Sequence, residues 1–338
     1  MIRLRNTFAG DLGTALFTLL GLAGILYIVY QAILSPRSLL ATLVIGVTSG
    51  AIYALIALGY TMVYGIIELI NFAHGDIFTL GAFIAIPLLA AVGLKHGTDF
   101  TATVAVLLVL VTVVVMAIIG GINVAIERIA YRPLRNAPRL APLITAIGMS
   151  FIVEGAMYLW KGPVSLRFPD LLPQNLYKVG PLEFGFKDLF VVIAALILVI
   201  VLSLFIGRTK LGKAMRATAQ DRDASYLMGI DINRTIAATF FIGAALAAAG
   251  GVIYGLFINT VRFDLGFSAG LVAFTAAVFG GIGNIEGAAL GGLLIGIIRA
   301  MTERYISGSW TDVVIFSILI MVLVFRPTGL LGMRVPEK

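Results

Sequence analysis

About ten stretches of this 338-residue chain are apolar for long enough to approach the thickness of a lipid bilayer, and that repetition constrains the fold more than any single motif. A membrane-spanning helix needs about 20 mostly apolar residues, each rising about 1.5 Å. The runs lie near residues 14–34, 39–58, 76–94, 100–122, 140–160, 188–207, 236–258, 267–283, 287–302 and 311–326. Several are short, so the expectation is an all-α, polytopic helical bundle of about eight to ten spans, in one transmembrane domain over residues 1–338. Composition agrees: 60% of residues are hydrophobic and 12% charged, where a soluble domain carries about a quarter charged. A soluble enzyme is excluded. The absence of cysteine removes disulfide and cysteine-metal frameworks, and the two histidines, His74 and His96, are too few and too far apart for a His-rich metal site. The first run follows Arg3 and Arg5 as a signal peptide would. It is longer than a signal core and lacks a small-residue cleavage site, so it reads as a retained span.

A net charge of +7 raises the question of nucleic acid, and the placement of the charges answers it. The basic residues fall in short patches between apolar runs, the pattern that fixes membrane orientation, and no basic face on a soluble unit is visible. Glu127 to Arg139 carries Arg128, Arg132, Arg135 and Arg139 against one Glu, and the 208–235 loop is also basic. Both are expected on the cytoplasmic side, and an even count of ten spans places both termini there too. The longest outer loop, 161–187, contains Pro163, Pro169, Pro173 and Pro181, which favour extended turns over helix. It reads either as a docking ledge for a soluble partner or as an ordered connector.

From Leu39 to Ile70 the apolar character is too long for one span. Polar residues then arrive in Asn71-Phe72-Ala73-His74-Gly75-Asp76, and Gly59 and Gly65 offer breaks. Irregular backbone at membrane depth is tolerated only where it is buried in protein or lines a wet cavity. This predicts a broken or re-entrant element near residues 65–80, with Glu68, Asn71, His74 and Asp76 as translocation-pathway candidates. A channel filter or proton relay is the rival reading there, weakened by the single His. Glu154 and Glu286 are read as helix-pairing or interfacial groups. Phe279 to Gly287 is a tight turn joining two short apolar runs in a helical hairpin. The spaced glycines Gly46/Gly50, Gly251/Gly255, Gly287/Gly291 and Gly292/Gly296 predict close helix packing inside one subunit, with a subunit seam as the rival.

Gly207-Arg-Thr-Lys-Leu-Gly212-Lys213-Ala214 imitates a phosphate-binding loop, but Ala214 replaces the hydroxyl that would hold magnesium, and the stretch leaves a span rather than a strand. If ATP drives this protein, another chain binds it. The segment Leu211 to Met228 is rich in helix formers, with Asp221 or Asp223 placed to cap a short helix and Gly229 to stop it. Its apolar side, Ala224, Leu227 and Met228, suits docking into a partner's groove; the alternative is a solvated loop that only holds topology. No motif for acid–base, nucleophilic or metal catalysis is present.

The stretch Gly59-Tyr-Thr-Met-Val-Tyr-Gly-Ile-Ile-Glu-Leu-Ile-Asn-Phe-Ala-His74-Gly75-Asp76 resembles the signature of LivH-type permeases of branched-chain amino-acid ABC importers. Glu127 to Gly148, Leu211 to Ile230, Phe279 to Ile297 and the terminal Arg326-Pro-Thr-Gly-Leu-Leu-Gly332 resemble the same family in the same order. The resemblance implies the ABC importer permease fold and a multi-pass subunit of the bacterial inner membrane. It pairs with a second, LivM-like permease or a second copy, is driven by two cytoplasmic ATP-binding subunits that hold the ATP and magnesium, and is supplied with leucine, isoleucine or valine by a periplasmic binding protein. The permease itself holds no cofactor and is not an enzyme. The resemblance gives the ATPase-coupling role to Leu211, Gly212, Asp221, Asp223, Ala224, Leu227, Met228 and Gly229, although Ala217-Thr218-Ala219 lacks the Glu of the general coupling motif. Permeases for urea and short amides share the Asn-x-Ala-His-Gly core and are the alternative. A self-sufficient channel or ion-coupled carrier is the rival class.

Overall fold

The computed structural model describes residues 19, 22–24, 26–31, 33–67, 70–135, 137–138 and 140–332. Its helices are α1 (Leu22–Gln31), α2 (Pro36–Ile67), α3 (His74–Ala91), α4 (Ala102–Ile126), α5 (Leu140–Lys161), α6 (Phe186–Arg208), α7 (Lys210–Gln220), α8 (Arg222–Leu227), α9 (Ile232–Ile258), α10 (Leu265–Gly280), α11 (Ile285–Tyr305) and α12 (Thr311–Phe325). Among the described residues eight helical stretches are long and apolar enough to cross a membrane, with α1 and α10 as shorter apolar helices. The chain is therefore a polytopic helical bundle.

The helix starts follow from local chemistry. Thr101, Asp231 and Asn284 each accept a hydrogen bond from a first-turn amide of α4, α9 and α11, supplying acceptors for donors that have no partner inside the helix. Within α2, Thr42 and Thr48 donate to the carbonyls of Ser38 and Val44 at 2.8 and 2.9 Å, so both hydroxyls stay satisfied in an apolar setting. α9 ends at Asn259, whose φ of 61° turns the chain out of the helix.

Small residues set the core. α11 lies against α2 with Gly292 and Gly296 over Ala54 and Gly50, while Gly46 faces Ile297; a methyl group at any of these glycines would strike backbone. Gly251 meets the Phe78 carbonyl, and Gly287 and Gly291 close the α10–α11 hairpin on Gly280 and Ala276. Three of the four glycine pairs pack against helices of this chain, as expected, whereas in the fourth Gly255 meets the Phe168 ring of the 161–187 loop. The middle of α9 is 78% buried, whereas α6 and the stretch Gly308–Phe325 that contains α12 are each 17% buried over their apolar windows. The outer helices turn Ile197, Val201, Leu323 and Val324 outward, which is stable only in lipid or against another apolar surface.

Two sequence expectations need correction. Gly59 and Gly65 do not break α2, which runs unbroken from Pro36 to Ile67; the small residue at 59 is used instead to admit the His74 ring, which a β-carbon there would hit. The Glu127–Arg139 stretch is not simply a loop, because the path of α4 continues through a wide π turn at Glu127–Tyr131 and a tight turn at Arg132–Leu134. The 161–187 loop is extended, as its prolines suggest. It forms β1 (Leu166–Arg167), which pairs antiparallel with β4 (Thr260–Val261), and the hairpin β2–β3 (Leu176–Val179, Leu182–Gly185). That hairpin marks one end of the bundle. Helices α7 and α8 mark the other.

Candidate functional site

The chain leaves α2 at Ile67 and starts α3 at His74, with Ile70 to Ala73 non-helical. The predicted break therefore lies at 70–73. Because His74 sits level with Gly59, eight residues before the end of α2, α3 begins about 12 Å back along that helix. Glu68 falls outside the described residues.

Asn71, His74 and Asp76 come together and are buried. The Tyr131 hydroxyl donates to Asn71 Oδ1 at 2.8 Å, and the His74 amide donates to the Asn71 carbonyl at 3.0 Å. The Ser150 hydroxyl of α5 donates to Asp76 Oδ2. The His74 ring meets the Tyr60 ring edge-on at 4.8 Å and faces the Ile56 carbonyl, but neither ring nitrogen makes a well-formed hydrogen bond. Asp76 Oδ1, Asn71 Nδ2, Thr61 Oγ1 and Thr79 Oγ1 are likewise buried without a partner among the described residues. A buried polar atom without a partner costs about 1–3 kcal/mol, and Asn71, Asp76, Thr61 and Thr79 gather such atoms around one helix break.

Cavities approach this cluster from both ends. At the α7–α8 end a cavity of about 580 Å³ is lined by Tyr64, Ile70, Glu127, Tyr131, Arg135 and Arg222, among others. At the hairpin end a vestibule of about 690 Å³, bordered by Phe151, Glu154, Arg262 and Asp264, shares Tyr254, Leu265 and Ser268 with a narrow cleft of about 100 Å³ whose lining includes Ile56 and Phe78. The cavity and the vestibule have no lining residue in common.

The α7–α8 end is held by arginines. Arg222 donates to the Ile66 carbonyl at 2.7 Å, satisfying an acceptor in the last turn of α2. Arg216 donates to the Ile206 carbonyl at 2.6 Å. Arg135 pairs with buried Glu127 and donates to Asn233 Oδ1 at 2.8 Å; burial pulls its guanidinium below the ordinary value, and the Glu127 carboxylate opposes that shift. Asp221 caps α8 by accepting from the Ala224 amide at 3.0 Å, Asp223 lies in the first turn, and Gly229, with φ of 82°, turns the chain away. The predicted coupling residues divide in two. Leu211 and Gly212 pack inward, Gly212 against the Ile206 backbone, whereas Ala224, Leu227 and Met228 are exposed, the last two by 84% and 83%. Glu286 is exposed in the first turn of α11.

Sequence reasoning missed Tyr60, Tyr131, Ser150 and Arg222. Tyr131 and Arg222 lie in or beside basic stretches that were read for topology alone, and the π turn that aims Tyr131 inward leaves no hydrophobic period to detect.

Residues 42–323 match the family model of the branched-chain amino acid transport system permease component. The chain is 44% identical over 306 residues to the high-affinity branched-chain amino acid transport system permease protein BraD of Pseudomonas aeruginosa, covering 88% of this chain and 97% of the relative. It is 44% identical over 299 residues to the corresponding protein LivH of Escherichia coli K12, covering 87% and 95%. A more distant relative, the fructose import permease protein FruG of Bifidobacterium longum, is 27% identical over 75% of both chains. No solved structure matches. With its bundle, its helix break and this similarity over most of its length, the chain belongs to the family of branched-chain amino acid transport system permease components.

Proposed function

We propose that this permease imports leucine, isoleucine and valine by alternating access, with the Asn71–Asp76 cluster as the point that opens in turn to each end. The observation that carries the reading is a buried group of unpartnered polar atoms between a cavity and a vestibule that share no lining residue. The solute class comes from BraD and LivH, whose names give branched-chain amino acids. In this reading 1–338 is one permease domain of the bacterial inner membrane with both termini cytoplasmic. The 161–187 loop is periplasmic and receives the binding protein. The 208–235 segment is cytoplasmic and couples to two ATPase chains that hold ATP and magnesium, and a LivM-like permease or a second copy completes the membrane unit. ATP biases the two states only through contacts that differ between them, and α8, with its exposed apolar tip and its Arg222 tie to α2, supplies a route for that bias.

The test is reconstitution of the complete complex in liposomes with labelled leucine, isoleucine, valine and urea. Uptake of the three amino acids that requires both ATP and the binding protein is expected. Uptake of urea alone, or uptake without ATP, overturns the proposal.

A further inference from the structure

The vestibule at the hairpin end has a charge pattern that the pathway reading does not use. Glu154 lies seven residues from the end of α5, about 10 Å along the helix axis, and has no ion pair among the described residues. An ionisable group at such a position is costly and defaults to a partner or a function. On the border of the same vestibule, exposed Arg262 is held by both carboxylate oxygens of Asp264 through Nε and Nη2, which leaves it further guanidinium N–H donors. Phe151, Leu265 and Phe267 supply the apolar border.

We propose that this vestibule is a receiving site for a free α-amino acid, with Glu154 holding the ammonium group, Arg262 the carboxylate and Phe151, Leu265 and Phe267 the apolar side chain. Asp264 acts as a positioning residue that fixes the Arg262 fork. The inference rests on the import reading above and deepens it, because an ionised carboxylate at 154 selects for a positive group that urea and short amides lack. The vestibule volume falls in the range of small-molecule sites.

A second observation points inward from the same place. Glu154 and Asp264 border the vestibule together. Asp76 is buried, its Oδ1 has no hydrogen-bond partner among the described residues, and that oxygen lies against Gly266, the neighbour of vestibule residue Leu265. Glu154 thus borders the open vestibule while Asp76 lies behind Gly266 in the sealed cluster. An ammonium group released from Glu154 would find its next acceptor at Asp76.

The test uses the permease–ATPase complex in lipid nanodiscs without binding protein, so that selection by that protein does not intrude. Saturation-transfer NMR is recorded with millimolar leucine and with 2-hydroxy-4-methylpentanoate, in which a hydroxyl replaces the ammonium group. Wild type is expected to give a leucine signal at least about fivefold above that of the hydroxy acid, which amounts to about 1 kcal/mol of discrimination. Glu154→Gln should abolish that preference and Glu154→Asp should restore part of it, with assembly checked by size exclusion. Equal signals for both compounds in wild type, no leucine signal at all, or an unchanged preference in Glu154→Gln overturns the proposal. Leucine uptake by wild type in liposomes is measured in parallel. If that uptake is intact while Glu154→Gln keeps the preference, the import reading stands and the receiving site falls.

Discussion

The α7–α8 end and the vestibule place their charged groups differently. At the α7–α8 end, Arg135, Arg216 and Arg222 are spent on partners within the protein, a buried carboxylate and two helix-terminal carbonyls. At the vestibule Arg262 is exposed and pairs with half-buried Asp264, and Glu154 has no ion pair among the described residues. Groups tied to backbone transmit displacement, because moving one moves the other. Groups left facing a vestibule are available to something that arrives. Under the proposed function, mechanical work falls to the first and solute chemistry to the second, with the Asn71–Asp76 cluster between them.

The largest expected effect is at the mechanical end. Glu127→Ala leaves Arg135 partly buried without its carboxylate, a kind of loss that costs about 3–5 kcal/mol; a thermal-shift assay in detergent should show a clear drop in melting temperature, and an unchanged value would mean that the pair adds little. Next comes Arg222→Ala. A charged donor lost from a half-buried carbonyl is worth about 1.5–3 kcal/mol, so leucine transported per ATP hydrolysed should fall about tenfold, with Arg222→Lys intermediate. Preserved stoichiometry would cut the proposed route from α8 to α2. Smaller again is Asp221→Ala, which removes the cap of α8 at about 1 kcal/mol and should lower coupling by a factor of a few while the protein still assembles.

The smallest effect belongs to the hairpin end. Burial on its own would raise the Asp170 carboxyl, but hydrogen bonds from Lys187, Gln174 and Asn259 outweigh it and hold the group below its ordinary range. A depressed carboxyl stabilises the fold above its unfolded value of about 3.9 and loses that contribution as pH falls through the lower, folded value. Asp170→Asn should therefore reduce stability by about 1 kcal/mol or less at pH 7, with the difference from wild type shrinking below about pH 4. A difference independent of pH would show that packing, not charge, holds the loop.

Much of this architecture was legible because membrane spans and small-residue packing are local in sequence. The glycines of α2 and α11 announced a close contact, and Asn284 and the glycines around it announced the α10–α11 hairpin. The cluster was legible only on one strand of its logic. Asn71, His74 and Asp76 stood out as polar residues beside an overlong apolar run, but Tyr131 and Ser150 reach them across 60 and 74 residues of chain, and nothing in their own surroundings shows it. Gly59 taught the reverse lesson. A glycine in a helix reads as a weak point, and here it is the notch that receives an imidazole from the next element.

The absence of native cysteine makes the central claim directly measurable. Single cysteines at Ser268, in the vestibule, and Ala137, in the opposite cavity, can be labelled with a small thiol reagent in the assembled complex, with and without ATP plus vanadate. Alternating access predicts that nucleotide trapping changes the two labelling rates in opposite directions. Rates that rise or fall together, or that do not respond, would contradict it.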